Sequence, residues 1–341
     1  MTRPPLTIDG ISRLATVNAS SSPADLEAAL IIEGFTMGFF GDQDANAPLT
    51  DFLEGRRALE PYLKYCDSRS LVTALRLRLP DGGSAKTVAV PRSAAGPDMK
   101  TMFLGCKGRF GSIEEAVIRV RRVPEIRLRG AFHFSSFDAA LAFLRVEAQR
   151  LNRPHVLRLP VPEPDQAEST SQRPLLIFGF EGPAADIPFR FQRARRRALA
   201  MLAEAYEPTP GTEPALDPER FPALFPKRGF AEKAEARIHA NLAWPRISPF
   251  LQELRRLASG IYTVRGNVTQ VWHEGAMLSL ELLSRDAESA QGMVARMLDN
   301  LLELLVTHEA ALLEVTPLSD LSGQECSRFF AGPFDELLEG V

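Results

Sequence analysis

The sequence predicts an α+β fold, and three observations predict it. Strand-like and helix-like runs intermingle along the chain without the regular β–α–β alternation of a doubly wound sheet. A hydrophobic fraction of 45% against 24% charged supplies real core material, and 341 residues suit two domains. No repeat of solenoid period is present. The net charge of −3 provides no chain-wide basic field for nucleic acid or an anionic membrane.

The elements read in order as follows. Residues 11–17 (ISRLATV) form a strand-like run. Ser22-Pro23-Ala24-Asp25 is a helix start, and the helix it opens places Leu26, Leu30 and Ile31 on one face and stops at Gly34. A second helical stretch spans about Leu49 to Tyr65. Apolar and polar residues then alternate on both sides of Pro80-Asp81-Gly82-Gly83, which predicts a hairpin with Leu75, Leu77 and Leu79 on one face. Gly105, Gly108 and Gly111 fall within seven residues, and the strand AVIRVRRV follows, ended by Pro124. The expected division is therefore residues 1–124 and residues 125–341.

The second part opens with a strand (IRLRGAFHF), a Ser-Ser-Phe-Asp cap and a helix (AALAFLRVEAQRL). Strands HVLRLPV and PLLIFGFEG flank a polar, proline-rich loop near 162–174 that reads as exposed and mobile. An arginine-rich helix and a second proline-rich stretch follow. A helix (ISPFLQELRRLA), two strands (GIYTVRGNVTQVW, AMLSLELL) and a long amphipathic helix from Ala287 to Glu314 complete the chain.

The candidate chemistry is sparse. Arg190, Arg193, Arg195, Arg196 and Arg197 read as a solvated helix face, because the aromatic interleaving that stacks bases is lacking. Cys66, Cys106 and Cys326 are far apart with no CxxC pair, which speaks against a zinc knuckle or a disulfide framework and for a reducing compartment. No apolar run approaches the ~20 residues that span a bilayer, and the first residues carry no export signal. A cytoplasmic protein without integral membrane segments is the expectation. The five histidines show no HxH or HxxxH spacing, so no metal site is expected. His308 and Glu309 are neighbours about 100° apart on a helix and read as an exposed polar turn. His273 and Glu274 occupy a turn between strands; His133 alternates with Phe132 and Phe134 and reads as surface or half-buried. Cys106 lies beside Lys107 with no histidine base at hand, which disfavours a nucleophilic role.

One stretch carries a resemblance. FLGCKGRFGSIEEAVIRV (Phe103–Val120) resembles the FAD-linked oxidase family of vanillyl-alcohol oxidase, D-lactate dehydrogenase and alkylglycerone phosphate synthase. Gly105, Gly108, Gly111, Ile113, Glu115 and Ala116 match that family's Gly-Ser-Glu-Gly-Thr-Leu-Gly-Ile-Ile-Thr-Glu-Ala segment. Leu26, Glu27, Leu30, Gly34 and Gly38 are similar to an earlier family segment. AFHFSSFDAALAFLR, RPHVLRL and LLIFGFEG resemble the opening strands and helix of its cap domain. The resemblance implies that residues 1–124 are a partial FAD-binding lobe and 125–341 a cap domain with an antiparallel sheet flanked by helices. It implies FAD contacts at Gly105, Lys107, Gly108, Gly111, Ser112 and Ile113, and a substrate anion at Arg158, where a guanidinium suits a carboxylate or phosphate. An outward-facing strand position is the other reading of Arg158. His273 aligns with the substrate side, and His308 lies near the family's C-terminal His-His-Gly, of which only Thr307-His308-Glu309 is found.

The departures are as specific. Lys107, Arg109 and Glu114 replace the family's Glu, Thr and second Thr, and residues 44–65 carry no glycine pair. The resemblance leads to the expectation that the family's pyrophosphate-binding lobe is lacking from this sequence. The leading expectation is a divergent homologue with an eroded flavin site, a partner-dependent subunit or scaffold whose open face is covered by another protein or a second copy. A working FAD-dependent oxidoreductase or synthase on a hydroxy acid or phosphorylated ketone is the alternative; a small-anion binding protein is the third.

Overall fold

The computed structural model describes residues 6–39, 47–56, 59, 63–90, 98–161, 173–206, 234–259, 262–284, 300–301 and 303–317. The architecture is α+β, and every described strand pair is antiparallel.

The first part holds β1 (Leu6–Asp9), β2 (Leu14–Asn18), α1 (Pro23–Ile32) and β3 (Phe35–Thr36). There follow α2 (Leu49–Leu53), α3 (Ser68–Leu71), β4 (Val72–Arg78), β5 (Ser84–Lys86), α4 (Met99–Phe103), β6 (Ser112–Arg119) and β7 (Arg121–Arg122). A five-stranded sheet runs β1-β2-β6-β4-β5, and β3 pairs with β7. Its core gathers side chains from Ala15 to Val120, among them Leu26, Leu30, Leu75, Leu77 and Ile118.

The second part contains β8 (Ile126–His133), α5 (Phe137–Gln149), β9 (Val156–Pro160), β10 (Leu175–Gly182), α6 (Ile187–Ala200) and β11 (Glu204–Tyr206). Then come β12 (Ala234–Ala243), α7 (Ile247–Ala258), β13 (Tyr262–Val271), β14 (Gly275–Ser284) and β15 (Ala311–Pro317). Its eight strands are ordered β11-β8-β10-β9-β13-β14-β12-β15. Because β10 lies between β8 and β9, and β8 between β10 and β11, α5 and α6 each cross over one strand. β8 and β10 run antiparallel, so the two helices do as well. They pack over a core of Phe132, Phe134, Phe143, Phe178 and Phe180. Along β13 burial alternates, with Tyr262, Val264 and Val268 in this core. Arg265 and Asn267 therefore belong to the opposite face of the sheet.

Several expectations hold with their reasons. The Ser22 side chain caps α1 by accepting the Asp25 N–H, and Ser136 caps α5 by accepting that of Ala139. The hairpin of β4 and β5 pairs as the alternation requires, with Leu75 and Leu77 buried.

Others are corrected. Residues 11–13 form a turn rather than strand: Asp9 Oδ1 accepts the Ile11 and Ser12 N–H groups and turns the chain from β1 into β2. Ile31 is 51% exposed, whereas Glu27 joins Leu26 and Leu30 among the buried residues of α1. The Glu27 carboxylate accepts the Met37 N–H at 3.0 Å and the Thr36 hydroxyl. The helix expected from Leu49 to Tyr65 ends at Leu53. Its last carbonyls are not continued by a further turn but taken by a distant segment: Gly105 N–H donates to Leu53 O at 2.9 Å and Lys107 N–H to Glu54 O at 2.8 Å. The helix expected to reach Glu314 also stops early. Residues 303–307 are helical, Glu309 adopts a φ of 52°, and β15 begins at Ala311 against β12. β1, β11 and β12 were not anticipated. The loop near 162–174 falls, except for 173 and 174, outside the described residues, as does Cys326.

Candidate functional site

The glycine segment is a tight loop between α4 and β6. Gly105, Gly108 and Gly111 adopt φ of 82°, 79° and 142°, and Lys107 one of 54°. At Gly111 a Cβ would stand 2.6 Å from Arg78 O, so no larger residue fits that turn. The loop leans on the end of α2, where Gly55 and Gly105 pass so closely that a Cβ on Gly55 would lie 2.8 Å from the Gly105 Cα. Its backbone donors turn inward. Besides Gly105 and Lys107, Arg109 N–H donates to Cys106 O, Gly111 N–H to Gly108 O, and Ile113 N–H to the buried Glu54 carboxylate at 3.0 Å. Arg56 closes on that carboxylate at 2.8 Å. Lys107, Arg109, Phe110 and Ser112 are exposed, Cys106 is half-buried, and Ile113 points into the first core.

Arg158 occupies the middle of β9, on the sheet face opposite α5 and α6, yet only 5% exposed. The outward reading is right for the face and wrong for solvent. Its Nε donates to Asn267 Oδ1 at 2.8 Å. Burial brings its pKa down to about 9, against the pull of Glu281; Arg265 adds to the lowering. Asn267 stands opposite Ser279, and Ser279 opposite His239. Ser279 Oγ lies 2.9 Å from His239 Nδ1 and 3.2 Å from Thr269 Oγ1, while Arg265 pairs with Glu281 at 2.8 Å. A polar tract thus crosses four adjacent strands. Its signal was present in the period-two spacing of Arg265, Asn267 and Thr269, but what it faces depends on strand order.

The histidines expected to carry chemistry do not join Arg158. His273 is exposed in the β13–β14 turn, 3.8 Å from Glu274, and its carbonyl accepts the Trp244 indole N–H. His308 is not an exposed turn residue. It is 7% exposed, 3.0 Å from Glu253 Oε2 and edge-on to Phe250 of α7. His133 Nδ1 lies 3.2 Å from Arg173 O. Among the described residues, no group of three or more His, Cys, Asp or Glu could hold a metal ion, and no helix is long and apolar enough to cross a membrane.

A second polar cluster, which the sequence did not reveal, joins the two cores. Tyr65 Oη donates to Glu181 Oε1 at 2.5 Å, with Lys64 at 3.6 Å from the same oxygen and Arg127 at 3.3 Å from the other. Arg153 donates to Tyr65 O at 2.6 Å, and Gln270 Nε2 to Leu63 O at 2.5 Å. Burial, then the Glu181 charge, raises the Tyr65 pKa. Burial lowers that of His155 to about 4, aided by the Arg190 charge, and raises that of Cys66 to about 11.

No family model matches the chain. Curated relatives do. It is 32% identical over 134 residues to an alkyldihydroxyacetonephosphate synthase of Caenorhabditis elegans, covering 39% of this chain and 22% of that one. It is 29% identical over 156 residues to the Trypanosoma brucei brucei synthase, covering 45% and 25%. A mitochondrial cytochrome D-lactate dehydrogenase of Arabidopsis thaliana is 25% identical over 130 residues, covering 36% and 23%. The matched stretch is thus about a quarter of each relative's length. Among solved structures, an alkyldihydroxyacetonephosphate synthase superposes with a TM-score of 0.71 at 17% identity, over 96% of this chain and 64% of that one. p-Cresol methylhydroxylase gives 0.67 at 12% identity, over 98% and 73%. The fold is that of the PCMH-type FAD-binding proteins. Over the part that matches, the chain's sequence homologues are alkyldihydroxyacetonephosphate synthases and a D-lactate dehydrogenase, a set consistent with the FAD-linked oxidase family.

Proposed function

We propose that this chain is a partner-dependent, substrate-recognising member of the FAD-linked oxidase family, whose flavin site is completed by further polypeptide. The observation that carries this reading is the inward turn of the glycine segment. A dinucleotide pyrophosphate is held by backbone N–H groups that point at it. The N–H groups of Gly105, Lys107, Arg109, Gly111 and Ile113 already donate within the chain. Among the described residues, these five donors are therefore already engaged, which supports a flavin site that this segment does not complete alone. Met99, Met102 and Phe110 are exposed in this segment or in α4 before it, an apolar set that favours cover by a partner or a second copy. Arg158 is the group suited to a ligand anion, a carboxylate or phosphate, because a buried guanidinium offers strong, directional donors.

The test is flavin and anion binding by the purified chain. The reading expects no stoichiometric FAD, and thermal stabilisation by phosphate esters or hydroxy acids that Arg158→Ala abolishes. Tight FAD with turnover of a hydroxy acid or phosphorylated ketone by the isolated chain would instead establish the second reading, an independent oxidoreductase or synthase. The synthase and dehydrogenase homologues favour that alternative. Anion stabilisation with neither flavin nor a partner would mark a simple small-anion binding protein.

A further inference from the structure

The outer flank of α5 and α6 departs in character from the rest of this weakly acidic chain. Residues 187–200 hold five arginines and no acidic residue. Two of the five turn inward: Arg190 Nε donates to Asn152 Oδ1 at 3.2 Å, and Arg197 grips the buried Glu147. Arg193 and Arg196 turn outward, so the solvated-face reading applies to part of the run only. The exposed positions of α6 are 188, 189, 192, 193, 196, 199 and 200. Steps of three and four from 189 onward align them in one stripe, roughly 15 Å long at the α-helical rise. Phe189, 64% exposed, stands at one end and Leu199, 38% exposed, at the other, with the two arginines between. The Arg193 guanidinium lies 5.4 Å from the Phe189 ring.

α5 extends the same character. Arg145 and Arg150 are exposed, whereas Glu147 is buried and Asp138, in the first turn, is bonded to Ser248. Beyond each helix a leucine sits in the left-handed region: Leu151 (φ 55°) and Leu202 (φ 62°), 88% and 84% exposed. That conformation is uncommon for a non-glycine residue, and here it holds two large apolar side chains in water.

We infer that this flank docks on an anionic lipid bilayer, with the arginines at the headgroup phosphates and Phe189, Leu199, Leu151 and Leu202 entering the boundary of the acyl chains. Interfacial helices combine these two features, and basic residues near an anionic leaflet add to the attraction of buried apolar area. Against a soluble polyanion the leucines and the phenylalanine would stay wet; a bilayer covers both. The inference is independent of the flavin reading, since this flank lies across the sheet from Arg158.

The full chain is sedimented with phosphatidylcholine vesicles, with and without phosphatidylserine. Binding is expected only with phosphatidylserine, and it weakens as salt rises. Arg193→Gln with Arg196→Gln lowers partitioning by at least about tenfold. Phe189→Ser with Leu202→Ser also lowers it several-fold, while Arg193→Lys with Arg196→Lys largely restores what the glutamines remove, which separates lost charge from lost folding. Absence of vesicle binding overturns the inference, as does equal binding to both vesicle types. So does loss with the glutamine pair but not with the serine pair, together with equally tight binding to heparin, which would mark a soluble-polyanion site.

Discussion

His155 accepts the Glu181 N–H through Nδ1 at 3.0 Å and lies edge-on to Tyr65 and Phe180, a half-buried setting that disfavours its charged form. With the folded pKa near 4 and the ordinary value at 6.5, the unfolded chain takes up the proton first. The contribution of this residue is whole above about pH 6.5 and is lost as pH falls toward 4. His155→Asn keeps an acceptor for the Glu181 N–H without the titration. Between pH 7 and pH 5 the wild type should lose about 2 kcal/mol more unfolding free energy than this variant, read from denaturant curves at the two pH values. Equal losses would show that His155 does not carry the acid sensitivity. Nothing local in RPHVLRL distinguishes His155, because the rings packed against it, Tyr65 and Phe180, come from distant parts of the chain. Arg158, three residues on, is singled out in the sequence by a resemblance alone; its partner Asn267 is not, since a cross-strand pair exists only once strand order is known.

At the scale of elements, α5 and α6 are locked by one buried ion pair. Glu147 is fully buried, and Arg197 approaches both of its oxygens, at 2.6 Å for Nη2 to Oε2, while Asn152 Nδ2 donates to the same Oε2 at 2.6 Å. Removing one partner strands a charge, whereas removing both strands none. Arg197→Leu should therefore cost roughly 3–5 kcal/mol, and Arg197→Leu with Glu147→Leu should recover most of it; chemical denaturation of the two variants decides. Were the double variant as unstable as the single, the pair would act through geometry rather than compensation. Elements whose ends carry local signals were legible: Ser22 and Ser136 announce α1 and α5, and Pro80 to Gly83 announces the hairpin. α2 was misjudged because its end is set by Gly105 and Lys107, about fifty residues away. β15 was misjudged because ALLEV is a short apolar run, which periodicity alone cannot separate from helix. The alternation of Ile238, Ala240 and Leu242 in β12 is a period-two signal present in the sequence.

At the scale of the molecule, the two cores meet through residues 63–65 of the first and the sheet of the second. Leu63 and Tyr65 offer their carbonyls to Gln270 and Arg153, and the Tyr65 hydroxyl reaches the buried Glu181. The Tyr65 ring is clamped, with Arg121 4.7 Å from its centre and Gly38 so near that a Cβ there would stand 2.4 Å from ring carbon. These bonds are buried or half-buried, so each is worth more than an exposed one. They set the position of the glycine segment relative to the Arg158 face, and any site spanning the two depends on them. Tyr65→Phe removes the bond to Glu181 and leaves that carboxylate with Lys64 and Arg127; Gln270→Ala removes the bond to Leu63. Each should cost about 1–3 kcal/mol. Together they should separate the thermal unfolding of the two cores, so that calorimetry of the double variant shows two transitions where the wild type shows one. Protection of the β4 and β6 amides against hydrogen exchange should then fall independently of those in β13 and β14. A single transition moved down as a unit would mean that other contacts couple the cores, and that Tyr65 and Gln270 contribute stability without setting the relation between the two faces.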